Sequence, residues 1–280
     1  MKKYFLLILL FCPPLFSQNF ICRNSIGDFK DATSFYINPT GFIYVTDAVT
    51  DEVYMIDTLG NIKNDVGGYG WNDSNFDDPV DIFATSLNIY VTDKNNHRIQ
   101  RFDKDLNFIS KLFTRKSDIK DEQFGYPLSA ATSNQGDLYV LDSENNRVLK
   151  FDLFGNFVLN FGGYNDPNYN LKKPKKLAIS PSNNIFVLDG TRLVIFDNYG
   201  NTVKNIDTKQ NLISIRIIFN SLVVNTTKDV YFSDLKKPGM ELSKLQLTGL
   251  DNDLKIVSSL IFNKRLYILT HNKIFIFSNN

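Results

Sequence analysis

An aspartate at the end of a β-type run, followed five residues later by an arginine, recurs along this 280-residue sequence. Asp93 is followed by Arg98 and Asp142 by Arg147; Asp189 has Arg192 after a shorter turn, and Asp47 has Glu52 in the arginine's place. Such a pair is able to bind an anion, move a proton or pin a turn. Repetition favours the last, because catalysis needs one site and architecture needs many. A strand-end aspartate accepts turn N–H groups, and a nearby arginine binds a carboxylate or carbonyl. Asp47, Asp93, Arg98, Asp142, Arg147, Asp189 and Arg192 are therefore read as structural turn residues. The two histidines, His97 and His271, fall in separate turns and form no zinc or acid–base cluster. The acidic stretch Trp71–Asp78 lacks the D-x-[DN]-x-[DN]-G order of a calcium loop and reads as a solvated loop.

The elements that position these residues are repeats. Tyr44–Asp47, Tyr90–Asp93, Tyr139–Asp142 and Phe186–Asp189 align without gaps, their aspartates 46, 49 and 47 residues apart. A second aspartate follows at Asp57, Asp103, Asp152 and Asp197, and Pro79, Pro127 and Pro174 mark unit boundaries. Leu222–Thr226 and Leu266–Thr270, each preceded by Ile-Phe-Asn, add two degenerate units. Each unit holds four short β-type runs separated by turn residues, with no helical periodicity. The expected fold is all-β: a six-bladed β-propeller of four-stranded antiparallel blades. The last unit stops after three runs, so a strand near residues 19–23 is expected to join it and close the ring, leaving no open edge.

Residues 1–18 read as a cleaved secretory signal: a basic start, the apolar run Phe5–Phe11, then Pro13-Pro14. That run is too short to span a bilayer, and no later stretch is apolar enough for a transmembrane segment. The single domain is expected over 19–280, exported to the periplasm or the extracellular space. Cys22 is its only cysteine and reads as a free thiol, which excludes an internal disulfide and a cysteine-based metal site. Without Lys2 and Lys3 the chain carries 29 basic and 30 acidic residues. This balance argues against a nucleic-acid partner.

Aligned innermost runs place Ser34, Asp81, Ser129, Lys176, Arg216 and Ser259 at equivalent positions around a channel mouth. Calcium wants several carboxylates. One acid facing two cations suits a small anion or an internal ion pair better than a divalent metal; the plainer reading is a polar lining bathed in water. No metal and no cofactor is expected. The long connections near 67–79, 114–127 and 162–174 share one face and carry Tyr69, Trp71, Tyr126, Tyr164 and Tyr169. Phe76, Phe124 and Leu171 are expected to plug gaps between blades. The other aromatics suit recognition of a protein, peptide or glycan.

The runs Asp93–Asp103 and Asp142–Asp152, continuing through Gly155-Asn156-Phe157 to Phe161-Gly162-Gly163, resemble the signature of NHL repeats. The first unit resembles it well apart from Glu52; the fourth keeps Arg192, and the fifth and sixth match only in pattern. The resemblance implies a propeller used as a protein- or ligand-binding platform, and some relatives of this fold are lyases or lactone hydrolases with a metal at the channel. The expected function is that of a non-catalytic recognition or scaffold module for a protein, peptide or glycan of the cell envelope, monomeric unless held in an envelope complex. The alternatives are a lactonase- or lyase-like enzyme at the central channel and a purely structural envelope subunit.

Overall fold

A computed structural model describes residues 19–279 apart from Asn168 and Asn252. The segment read as a signal, residues 1–18, lies outside the described residues.

Six sheets form the ring. In blade one the strands run Ala32–Ile37, Ile43–Asp47, Glu52–Ile56 and Ile62–Gly67 from the centre outward. Blades two to five repeat that antiparallel order, beginning at the innermost strands Pro79–Ala84, Pro127–Thr132, Pro174–Ile179 and Ser214–Ile218. The innermost strand of blade six is Ser258–Phe262.

Closure occurs as the incomplete last repeat requires. Asn19–Ile26 pairs antiparallel with Ile274–Asn279, with Phe20 opposite Asn279 and Cys22 opposite Phe277. The sixth sheet also has a fifth strand, Gln246–Thr248, lying parallel to Asn19–Ile21. Just before it, Ser243–Lys244 forms the short outermost strand of blade five. One six-residue segment thus serves the edges of two blades, with the buried Leu245 at the crossover.

Burial explains the apolar second strands. Ile43–Asp47, Leu138–Asp142 and Ile185–Asp189 are buried at every residue because blades cover both faces. The outermost strands are largely exposed, and their side chains turn polar. Phe76, Phe124 and Leu171 are buried plugs between blades.

The second aspartates build the turns of the opposite face. Asp57, Asp103, Asp152 and Asp197 each accept two backbone N–H groups and the amide of an asparagine four residues on. The turn needs a positive φ, met by Gly60 (89°), Gly155 (88°) and Gly200 (86°). Leu106 adopts 65° at the equivalent position in blade two, with its side chain buried.

Candidate functional site

Blades one to four carry a β-bulge immediately before Ser34, Asp81, Ser129 and Lys176. The bulge inserts one residue and re-aims the next side chain, here toward the axis. Pro79, Pro127 and Pro174 tolerate the site because each opens its strand.

At the axis the side chains meet and fill the space. Arg216 of blade five reaches across the ring, its Nη2 donating to Asp81 Oδ1 of blade two at 2.7 Å and also to Ser34 Oγ. Its Nε donates to the carbonyl of Phe35 at 3.1 Å. Lys176 of blade four lies 3.2 Å from the same Asp81 oxygen and donates to the Val80 carbonyl at 2.6 Å. Ser34 and Ser129 both donate to the carboxylate. Ser259 stands apart and donates to Asn225 Oδ1 at 2.9 Å. Ser34, Asp81, Ser129, Arg216 and Ser259 are all buried, so this level holds an enclosed network, the internal ion pair rather than the water-bathed lining.

Burial alone would raise the pKa of Asp81. Arg216 and Lys176 outweigh it and hold the carboxyl down at about 2. Burial and the neighbouring Arg216 push Lys176 below the ordinary lysine range, while Asp81 opposes them. Burial also pushes the Tyr36 hydroxyl up to about 12, and that group donates to the Ile217 carbonyl at 3.0 Å.

The strand-end aspartates clamp the loops of the other face. Asp47 accepts the N–H groups of Lys30, Asp31 and Val49. Asp93 accepts the Asp77 N–H at 2.9 Å and pairs with buried Arg98 at 2.7 Å. Arg98 then donates to the carbonyls of Trp71, Asn72 and Asn75, fixing the loop that presents Trp71. In blade three Asp142 pairs with Arg147, which holds the Gln123 carbonyl at 2.7 Å. Asp189 accepts the N–H groups of Lys172 and Lys173. Its partner there is the Tyr169 hydroxyl, which donates at 3.1 Å, while Arg192 turns to Asn205 Oδ1.

The candidate aromatics therefore divide. Tyr169 is half-buried against Phe196 and serves the Asp189 turn. Tyr126 is 42% exposed, edge-on to His97 at 4.2 Å and near the Arg115 guanidinium. Tyr69, Trp71 and Tyr164 stand free at 73%, 63% and 86% exposure. Over blade two, Trp71 and Phe113 flank a groove of about 440 Å³ whose lining includes Asn96, His97, Lys111, Arg115 and Lys116. His97 Nδ1 accepts the Tyr126 N–H at 3.0 Å, which places the ring proton on Nε2. Burial, then the Arg115 charge, lowers the pKa of His97, in keeping with the neutral ring that an accepting Nδ1 requires. The spacing of residues did not reveal this groove; its one sequence signal is the pairing of a basic, aromatic 111–116 stretch with the Trp71 loop.

Comparison with known proteins agrees with this geometry. The family model described as NHL repeat matches residues 76–102 and 124–151, which fall in blades two and three with their entry loops. Protein brain tumor of Drosophila melanogaster is 30% identical over 151 residues, 52% of this chain, and the chain spans 14% of that protein's length. Virginiamycin B lyase from Staphylococcus aureus superposes with a TM-score of 0.64 at 10% identity, over 92% of this chain and 99% of that one. The WD40 β-propeller domain of Doa1 gives 0.62 at 9% identity, over 89% and 79%. At such identities the structural likeness is one of fold. The chain carries NHL repeats in the second and third blades of a six-bladed β-propeller.

Proposed function

We propose that this chain is an exported, non-catalytic recognition module that binds a polypeptide partner of the cell envelope through the face bearing Trp71. The observation that carries the reading is the exposure of Tyr69, Trp71 and Tyr164 on long loops of one face. Large aromatic side chains left in water on rigid supports are typical binding anchors. Arg98 supplies that rigidity for Trp71 through three loop carbonyls. The channel supports an enzyme less well. Its Asp81 is saturated by two cations and two serine hydroxyls, and a carboxyl held at about 2 is a poor general base near pH 7.

The test is in-cell crosslinking with tagged full-length protein beside a Trp71→Ala/Tyr164→Ala variant. Loss of one reproducible crosslinked protein in the variant, at unchanged thermal stability, is the expected result. A crosslink pattern identical in both proteins would overturn the assignment of this face.

A further inference from the structure

We propose that the groove over blade two receives an extended acidic peptide segment that carries an apolar side chain beside its acid. The inference rests on the recognition reading above and names the chemistry of its partner.

Three features of the groove each ask for a different group. Asn96 is 1% exposed, and its amide nitrogen donates to the Gly70 carbonyl and to Asp93 Oδ2, both at 2.9 Å. Those two bonds fix which end of the amide is oxygen. That oxygen, Oδ1, is buried without a donor among the described residues, in a side chain that belongs to the groove's lining. A buried acceptor left unpaired is costly, and a small shift of the lining on binding would open it to a peptide N–H.

The second feature is charge. Lys111, Arg115 and Lys116 line the groove, and no carboxylate does among the described residues. Lys111 pairs with Asp73 at 2.6 Å and Arg115 with Glu144 at 2.8 Å, both exposed pairs that exchange readily. Lys116 makes no ion pair among the described residues. The proton on His97 Nε2 adds a neutral donor to the same lining. A carboxylate entering here meets donors and cations, and a basic ligand meets repulsion.

The third feature is the apolar pair Trp71 and Phe113, both exposed. Their faces suit an aliphatic or aromatic side chain adjacent to the acid. An acidic sugar shares the anion and the hydrogen-bond donors. The wider face favours a polypeptide, because exposed Tyr69 and Tyr164 lie on the loops entering blades two and four and extend the contact beyond one sugar ring.

Trp71 is the only tryptophan in the chain, so its fluorescence reports occupancy. The experiment pans a display library of random linear peptides on the full chain, then titrates the enriched peptides against Trp71 emission. Enriched sequences should share Asp or Glu next to an aliphatic or aromatic residue and bind less tightly as salt rises. Lys116→Glu should weaken them about tenfold, and a peptide with its acid changed to Lys should recover that loss in the variant. Enriched peptides without an acid, unchanged affinity in Lys116→Glu, or preference for a uronic-acid oligosaccharide over every peptide would overturn the inference. If the crosslinked protein lost in Trp71→Ala/Tyr164→Ala survives Lys116→Glu, the acidic-peptide inference fails and the recognition reading stands. If neither variant alters the crosslink, both fail.

Discussion

Replacing Asp81 with asparagine keeps the shape of the side chain and removes the single negative charge that buried Arg216 and partly buried Lys176 share. In the native protein Arg216 Nη2 lies 2.7 Å and Lys176 Nζ 3.2 Å from the same carboxylate oxygen. The two cations hold the carboxyl at about 2 against an ordinary 3.8, a gap worth ~2 kcal/mol of folding stability. Leaving a buried charge without its partner typically costs about 3–5 kcal/mol, so the expected loss lies between these figures. For a domain of this size it lowers Tm by roughly 5–15 °C. The sign with pH follows from a folded-state value depressed below the unfolded one. The contribution of Asp81 is complete above about pH 4, the unfolded carboxyl's value, and disappears as pH falls through about 2. Urea titrations of wild type and Asp81→Asn should therefore show a constant gap from neutral pH down to about 5, closing between about 4 and 2. A gap below about 0.5 kcal/mol at pH 7, or one that ignores pH, would refute the charge-sharing account.

Further outcomes follow from the turns and the seam. Arg98→Lys cannot reach Asp93 and the carbonyls of Trp71, Asn72 and Asn75 together; it should cost about 2–3 kcal/mol and increase acrylamide quenching of Trp71. Gly200→Ala places a Cβ 2.7 Å from Phe161 Cβ at a φ of 86° and should cost more than about 2 kcal/mol in urea denaturation, whereas Gly155→Ala enters open space and should cost only the backbone term, about 1 kcal/mol. Phe20→Ala removes a buried anchor of the closing strand and should destabilise by about 3–4 kcal/mol, with hydrogen exchange rising first along Ile274–Asn279.

Much of the fold is written in residues that repeat because they do the same local task. Asp47, Asp93, Asp142 and Asp189 take backbone donors from the loop entering their own blade, so their spacing records the blade length. In blade five Asn225 takes the corresponding place and holds Ser259 instead, so there only the strand pattern survives. Equivalent positions named the residues at the axis, yet their enclosure depends on how far Arg216 extends across the ring, a distance no local pattern encodes. The three-residue strand Gln246–Thr248 is too short to show alternation. Tyr169 replaces arginine as the partner of Asp189 from a loop position that spacing does not single out. The groove over blade two joins Trp71 to Phe113, which belong to the connections before and after that blade, and only the folded ring brings them together.

The seam of blade six also sets a timetable. Phe20 and Ile21 are synthesised early, yet their antiparallel partners are Asn279 and Ser278, so one ladder joins nearly the two extremes of the described chain. Contacts so distant in sequence form late and slowly. Until they form, Ile274–Asn279 presents unpaired N–H and C=O groups along an open edge, and such edges recruit other chains. The parallel contact of Asn19–Ile21 with Gln246–Thr248 depends on the same docking event. Completion of the propeller is therefore a single step governed by residues 19–26, and anything that sequesters that segment during folding prolongs the aggregation-prone interval without touching a contact inside any other blade.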